Sequence, residues 1–245
     1  VRVGASWIDM GAGMYTALAV LRALLERQGT GKGQRVDVSL MDTALSWMSP
    51  FIAHYSMSGE LPGRSGSSLS VFSPYQVFKA KDGYVFIGAS TDRFWRSRCK
   101  LLGLRSLVQD ARFATNQDRV KNREKLNELI GEALAGWERD ELVESMRQAG
   151  IPCGPVLDVG QSLEDPHVVE RGILHHLQHP RLGPVTQVKT PIASDGHMPA
   201  VRTPAPEVGQ HTRQILCELH YSNEEIDRMI SSGVAKESPV EPGEC

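Results

Sequence analysis

The sequence predicts an α/β body joined to a small α+β domain. Helix and strand signals alternate at both ends of the chain, and a hairpin flanked by helices occupies the middle. A Gly/Ser/Pro-rich loop, "GELPGRSGSSLSVFSP", separates the first part from that middle. The 245 residues suffice for one large domain or two modest ones. A hydrophobic share of 40% beside 23% charged residues is ordinary for a soluble globular protein. A net charge of −2 leaves no global field to recruit nucleic acid or an anionic membrane. No apolar run reads as approaching the roughly 20 residues that span a bilayer.

Residues 10 to 28 read as the first helix. Met14, Leu18, Leu21 and Leu25 fall on one face, and Ala17, Val20 and Leu24 widen it, so burial on more than one side is expected. Gly29 and Gly31 stop it. "RVDVSL", 35 to 40, alternates as a short strand does. Asp42 then caps a helix to about Ser58, closed by Gly59. "YQVFKAKDGYVFIGAS" is a hairpin whose Asp82-Gly83 suits a type I′ turn. Thr91 or Asp92 caps the next helix, and Gly103 closes it. Helices over 116–135 and 140–149 follow, and then "IPCGPV" reads as a partly buried strand. Asp165-Pro166 starts a helix. Strands at 173–179 and 184–193 flank Arg181-Leu182-Gly183. Ser222 and Glu225 form the capping box of a last helix, and the tail "KESPVEPGEC" reads as disordered.

Asp9 is the sharpest candidate for chemistry. A carboxylate at a helix start is stabilised by the macrodipole and the free backbone N–H groups, so spacing alone favours a cap. The functional alternative is a nucleophile that forms a covalent acyl intermediate. Gly11 and Gly13 fit either reading: they let substrate approach the backbone, or they let helices pack. "GTGKGQ", 29 to 34, lacks the spacing of a phosphate loop and follows a helix where that motif needs a strand. Gly63, Arg64, Ser65 and Gly66 belong to a loop that could cover a site or merely link two parts. Arg64 or Arg93 could pair with the distal carboxylate of a dicarboxylic substrate, although surface solvation is the simpler fate of each. His175, His176 and His179 sit on one strand, and no metal site is expected. Cys153 reads as a small buried residue. The four cysteines form no CxxC pair, so a reduced, cytoplasmic compartment is the expectation, with an organelle matrix equally compatible. "VRVGASW" has no signal-peptide pattern. It opens like the end of a strand or loop, so the chain reads as a fragment or a processed form.

Four segments occur in an order that resembles the class III CoA-transferases, the CaiB/BaiF group of formyl-CoA transferase and carnitine CoA-transferase, related to α-methylacyl-CoA racemase. They are "DMGAGMYTALAVLRALLERQGTGKGQRVDVSLMD", "SPYQVFKAKDGYVFIGA", "GIPCGPVLDV…EDPHVVERG" and "PEVGQHTRQIL". The resemblance implies that Asp9 is the catalytic carboxylate. It would attack an acyl-CoA thioester, form a mixed anhydride and then an aspartyl-CoA thioester, and pass CoA to an incoming acid. CoA is then a substrate, with no permanently bound cofactor. The implied fold is the end of a Rossmann-like large domain (1–58), a linker and active-site loop (59–71), a small α+β domain (72–156), a return to the large domain (157–235) and the tail (236–245). Two subunits would interlock as a homodimer. Residues 63 to 70 occupy the place of the family's glycine-rich loop without its glycine run. The long N-terminal stretch that grips CoA in full-length relatives is absent, so the chain alone is expected to lack a complete CoA site. An acyl-CoA racemase using Asp9 as general acid/base, and a noncatalytic fragment, are the alternative readings.

Overall fold

The computed structural model describes residues 4–88 and 91–238. Two compact units divide at Ser70 and Val71.

The first unit is three helices. α1 (Trp7–Thr30) starts earlier and ends later than the periodicity indicates, and Gly31 closes it in the left-handed conformation with its N–H donated to Arg27 O. Gly4 and Ala5 form a bend before it; residues 1–3, read as part of a strand or loop, lie outside the described residues. The strand expected at 35–40 is not formed. Val36 and Val38 do alternate inward, but a strand exists only when a neighbour takes its ladder hydrogen bonds, and no described segment does so. The second helix is capped by Ser39, whose hydroxyl accepts from Asp42 N, so Asp42 stands in the first turn and is not the cap. That helix breaks at Met48 into α2 (Leu40–Trp47) and α3 (Ser49–Ser58), because Pro50 brings no N–H and belongs in the first turn of a new helix.

The expected burial of α1 is not realised within this chain. Met14, Leu18, Leu21 and Leu25 are 68%, 59%, 58% and 67% exposed, and among the described residues of the unit only Gly11, Ala12 and Thr43 are buried. α1 is also long and apolar enough to cross a membrane by length and composition, which corrects the sequence reading. A helix apolar on every side is suited equally to burial inside protein.

The second unit holds the core. β1 (Gln76–Lys79), β2 (Tyr84–Ile87) and β3 (Cys153–Val156) form an antiparallel sheet in that order, with Phe78 opposite Val85 and Ile87 opposite Cys153. Period-2 alternation turns Val85 and Ile87 inward, both fully buried. The turn at Asp82-Gly83 is not type I′, since neither residue has positive φ. Tertiary bonds fix it instead: Asp82 Oδ1 accepts from Arg139 N at 2.7 Å, and Lys81 N donates to Trp137 O at 2.9 Å. α4 (Asp92–Leu101) is capped by Thr91. The stretch 116–135 is two helices, α5 (Asn116–Lys121) and α6 (Arg123–Leu134), interrupted at Asn122, whose side chain donates to Arg112 O and Asp118 O. α6 turns Leu126, Ile130 and Leu134 onto one face, and α7 (Arg139–Gln148) adds Leu142, Val143 and Met146. Each such side chain contributes about 1.5–3 kcal/mol by burial.

The remainder follows the local signals. α8 (Val159–Glu164) and α9 (Pro166–Glu170) start at Asp158 and Asp165. β4 (Leu174–His179) and β5 (Gly183–Val188) form a separate hairpin. α10 (Thr212–Glu218) and α11 (Asn223–Ser231) end the order, and Ser222 and Glu225 make the expected capping box. Of the tail read as disordered, Lys236–Ser238 are held: Glu237 pairs with Arg213, and Ser238 N donates to Gly209 O. Residues 239–245 lie outside the described residues.

One feature of this core is unfavourable. The Trp95 ring has the guanidinium of Arg98 and that of Arg119 each 5.2 Å from its centroid. Arg119 is paired with Asp92 and bonded to Ser73 O. Arg98 is 1% exposed, and none of its three nitrogens has a hydrogen-bond partner. Burial pushes its pKa down to about 10. An unpaired buried charge costs more than an apolar side chain of similar volume. Arg98→Met is therefore expected to raise the urea midpoint, by about 1–4 kcal/mol of added stability. A lower midpoint at an unchanged m-value would show that Arg98 has a compensating partner.

Candidate functional site

Asp9 is the third residue of α1, within the first turn and not at the cap position. Ser6 holds that position and supplies no side-chain bond. Asp9 is exposed, and its carboxylate makes no hydrogen bond or ion pair among the described residues. The capping reading therefore loses its geometric basis. What remains is an accessible carboxylate within the partial positive charge at the start of a 24-residue helix. Developing negative charge on a group attached to Asp9 gains from the same field.

The two glycines behind it differ. A Cβ on Gly11 would lie 2.4 Å from Trp47 Cη2 and 2.5 Å from Cζ2, so this glycine admits α2 and leaves no room there for substrate. A Cβ on Gly13 would meet nothing within 4 Å. Trp47 is tied back to α1, its Nε1–H donating to Tyr15 Oη at 3.2 Å. Hydrogen bonds from Ser46 and Trp47 also lower the Tyr15 pKa. Sequence reading missed this Gly11–Trp47–Tyr15 contact, because the aromatic residues looked like ordinary members of apolar helices.

Gly63, Arg64, Ser65 and Gly66 lie in the loop after α3, all exposed. Gly66 has φ +60, and Ser68 N donates to Ser65 O at 2.9 Å, which closes a turn just beyond Arg64. No hydrogen bond joins these four residues to α1 among the described residues. A cavity of about 320 Å³ is lined by Tyr15, Asp37, Ser39, Asp42, Thr43 and Ser46, among others, and does not include Asp9. In the second unit a cavity of about 390 Å³ lies between Arg139, Glu144, Arg147, Gln161 and Asp165.

The remaining candidates are structural. Among the described residues no three His, Cys, Asp or Glu side chains are grouped to hold a metal. His179 is buried; its Nδ1 accepts from Arg181 N and Leu182 N, and its Nε2 donates to Ala205 O. His176 bonds to Thr186 across the hairpin. Burial pushes the Cys99 thiol up to about 11 and raises Cys153, which suits neither for nucleophilic work.

The family model described as CoA-transferase family III matches residues 1–212. The chain belongs to this family. It is 29% identical over 235 residues to human succinyl-CoA:glutarate CoA-transferase, covering 96% of this chain and 54% of that protein. It is 31% identical over 219 residues to succinyl-CoA–D-citramalate CoA-transferase of Chloroflexus aurantiacus, covering 89% and 54%. The fold aligns with a crystal structure of a CAIB/BAIF family protein from Brucella suis at TM-score 0.74 and 33% identity, covering 89% of this chain and 57% of that one. The chain thus spans about half the length of the curated relatives it matches.

The contrast between the two glycines is measurable. Gly11→Ala should destabilise the first unit, because overpacking against Trp47 costs about 1–3 kcal/mol and outweighs the gain of at most ~1 kcal/mol from alanine in a helix. Gly13→Ala should keep that gain and raise the unfolding midpoint. Equal effects at the two positions, by circular dichroism in urea, would contradict the packing role given to Gly11.

Proposed function

We propose that the intact protein containing this chain transfers CoA from an acyl-CoA to a carboxylic acid, with Asp9 as the nucleophile. The observation that carries the reading is the accessible, unpaired carboxylate in the first turn of α1, in a chain of CoA-transferase family III. The names of the curated relatives support the same reaction class.

The chemistry balances at one side chain. An Asp9 carboxylate oxygen attacks the thioester carbonyl, the C–S bond breaks, and CoA leaves as thiolate. The mixed anhydride keeps the acyl group activated. CoA thiolate then attacks the Asp9 carbonyl carbon, so the first acid departs as carboxylate and an aspartyl-CoA thioester remains. The acceptor acid enters by the reverse sequence and leaves as its CoA thioester, restoring the Asp9 carboxylate. Negative charge builds on oxygen in each addition, close to the helix start that favours it. The anhydride survives only where water is excluded, and the loop at 63–66 is the covering element in this reading.

Asp9→Asn should lower kcat by on the order of 10³-fold or more while the far-UV spectrum is unchanged. Exchange by the asparagine variant at the normal rate would remove Asp9 from the reaction. A racemase would instead exchange the α-hydrogen of an acyl-CoA with solvent deuterium and need no acceptor acid.

Assembly belongs to the same reading. The bare apolar sides of α1 to α3 exceed what a monomeric surface carries, and we assign their cover in part to a second copy. Light scattering on the intact protein should give a dimer; a monomer at micromolar concentration would contradict this.

A further inference from the structure

We infer that Gly13 sets how bulky an acyl group Asp9 can accept, because a side chain at position 13 would lean over that carboxylate. The inference rests on the transfer reaction proposed above and concerns the clearance beside its nucleophile.

Asp9 and Gly13 are four residues apart on the unbroken helix α1. Helical geometry puts Gly13 about 6 Å along the axis and about 40° around it from Asp9. Two positions so related have Cβ sites on the order of 5–6 Å apart. Every Cα–Cβ bond of a helix tilts toward the N-terminus, so a side chain covers the turn before its own Cα. A side chain at 13 would therefore cover the turn that carries Asp9. Gly11 is placed differently, about 160° around the axis from Asp9. Trp47 and α2 thus back the side of α1 away from the carboxylate. Ala12, three residues on, is the other position that leans toward Asp9; it is buried and carries only a methyl group.

No contact among the described residues requires glycine at 13. Its φ is not positive, it is exposed, and a Cβ there would meet nothing within 4 Å. Glycine inside a helix is destabilising relative to alanine. An occupant beside Asp9 accounts for its use. The anhydride adds a whole acyl group to the aspartate side chain, and the open flank at Gly13 is where that group fits. Thr16, about one turn further on, donates its hydroxyl to Ala12 O at 2.8 Å. That hydroxyl has no hydrogen left to donate to a ligand, so the flank suits the hydrocarbon part of an acyl chain.

The test uses the intact protein with donors graded in bulk, from acetyl-CoA through butyryl-CoA to isobutyryl-CoA, and the variants Gly13→Ala and Gly13→Val. Both should fold, since valine is no poorer than glycine in a helix and its Cβ has room. With Gly13→Val, kcat/KM for isobutyryl-CoA should fall by about 10–200-fold relative to acetyl-CoA, and Gly13→Ala should give a smaller shift in the same direction. Unfolding midpoints should be no lower than wild type, and light scattering should show an unchanged assembly. Equal losses on every donor, no loss on any, or a loss that accompanies a change of assembly would overturn the role of Gly13 while leaving Asp9 as the nucleophile. Absence of CoA exchange by the wild-type protein with every donor would overturn the transfer reading, and this inference with it.

Discussion

The first unit depends on one close approach. At Gly11 there is no space for a Cβ between α1 and the ring of Trp47, and the ring is fixed from the other side by its hydrogen bond to Tyr15. This contact sets α1 against α2 at the second turn of α1. Asp9 stands in the first turn, two residues before Gly11. As the nucleophile we propose, Asp9 would be positioned by the helix backbone, without a side-chain partner of its own.

The two units solve different packing problems. In the second, a three-stranded sheet and α4, α6 and α7 enclose a closed core, with Val85, Ile87, Leu126, Ile130, Leu142 and Met146 fully buried. In the first, the helices are as apolar as core helices and almost none of that surface is covered. The second unit brings its own covering layers; the apolar faces of the first stay exposed among the described residues. The segment 35–40 belongs to the same pattern: it alternates as a strand does, but forms none because no described segment takes its ladder hydrogen bonds. Arg98 is an exception within the closed core, a cation retained against the desolvation that opposes it.

Local signals were the most legible in the sequence. Capping side chains at Thr91, Asp165 and Ser222, left-handed glycines at 31, 59 and 103, and the hairpin around 80–83 are properties of a few adjacent residues, and they appear where those residues put them. Features that depend on distant atoms were not legible. The turn at Asp82 takes its shape from Arg139 and Trp137, over fifty residues away, and so departs from the type that Asp-Gly alone favours. Asp42 carried the residue type of a cap, but the hydroxyl three residues earlier took the position. The candidate site divides the same way. Asp9 stood out by charge beside small residues, whereas the use of Gly11 for Trp47 required knowing which helix returns to it.

The claim on which the account stands is a covalent bond at Asp9. The direct measurement is to incubate the intact protein with an acyl-CoA donor, quench with hydroxylamine, digest, and locate the label by mass spectrometry. The account predicts a hydroxamate on the peptide that contains Asp9, formed only when the donor is present. A label on any other residue, or no label while CoA exchange proceeds, would contradict it.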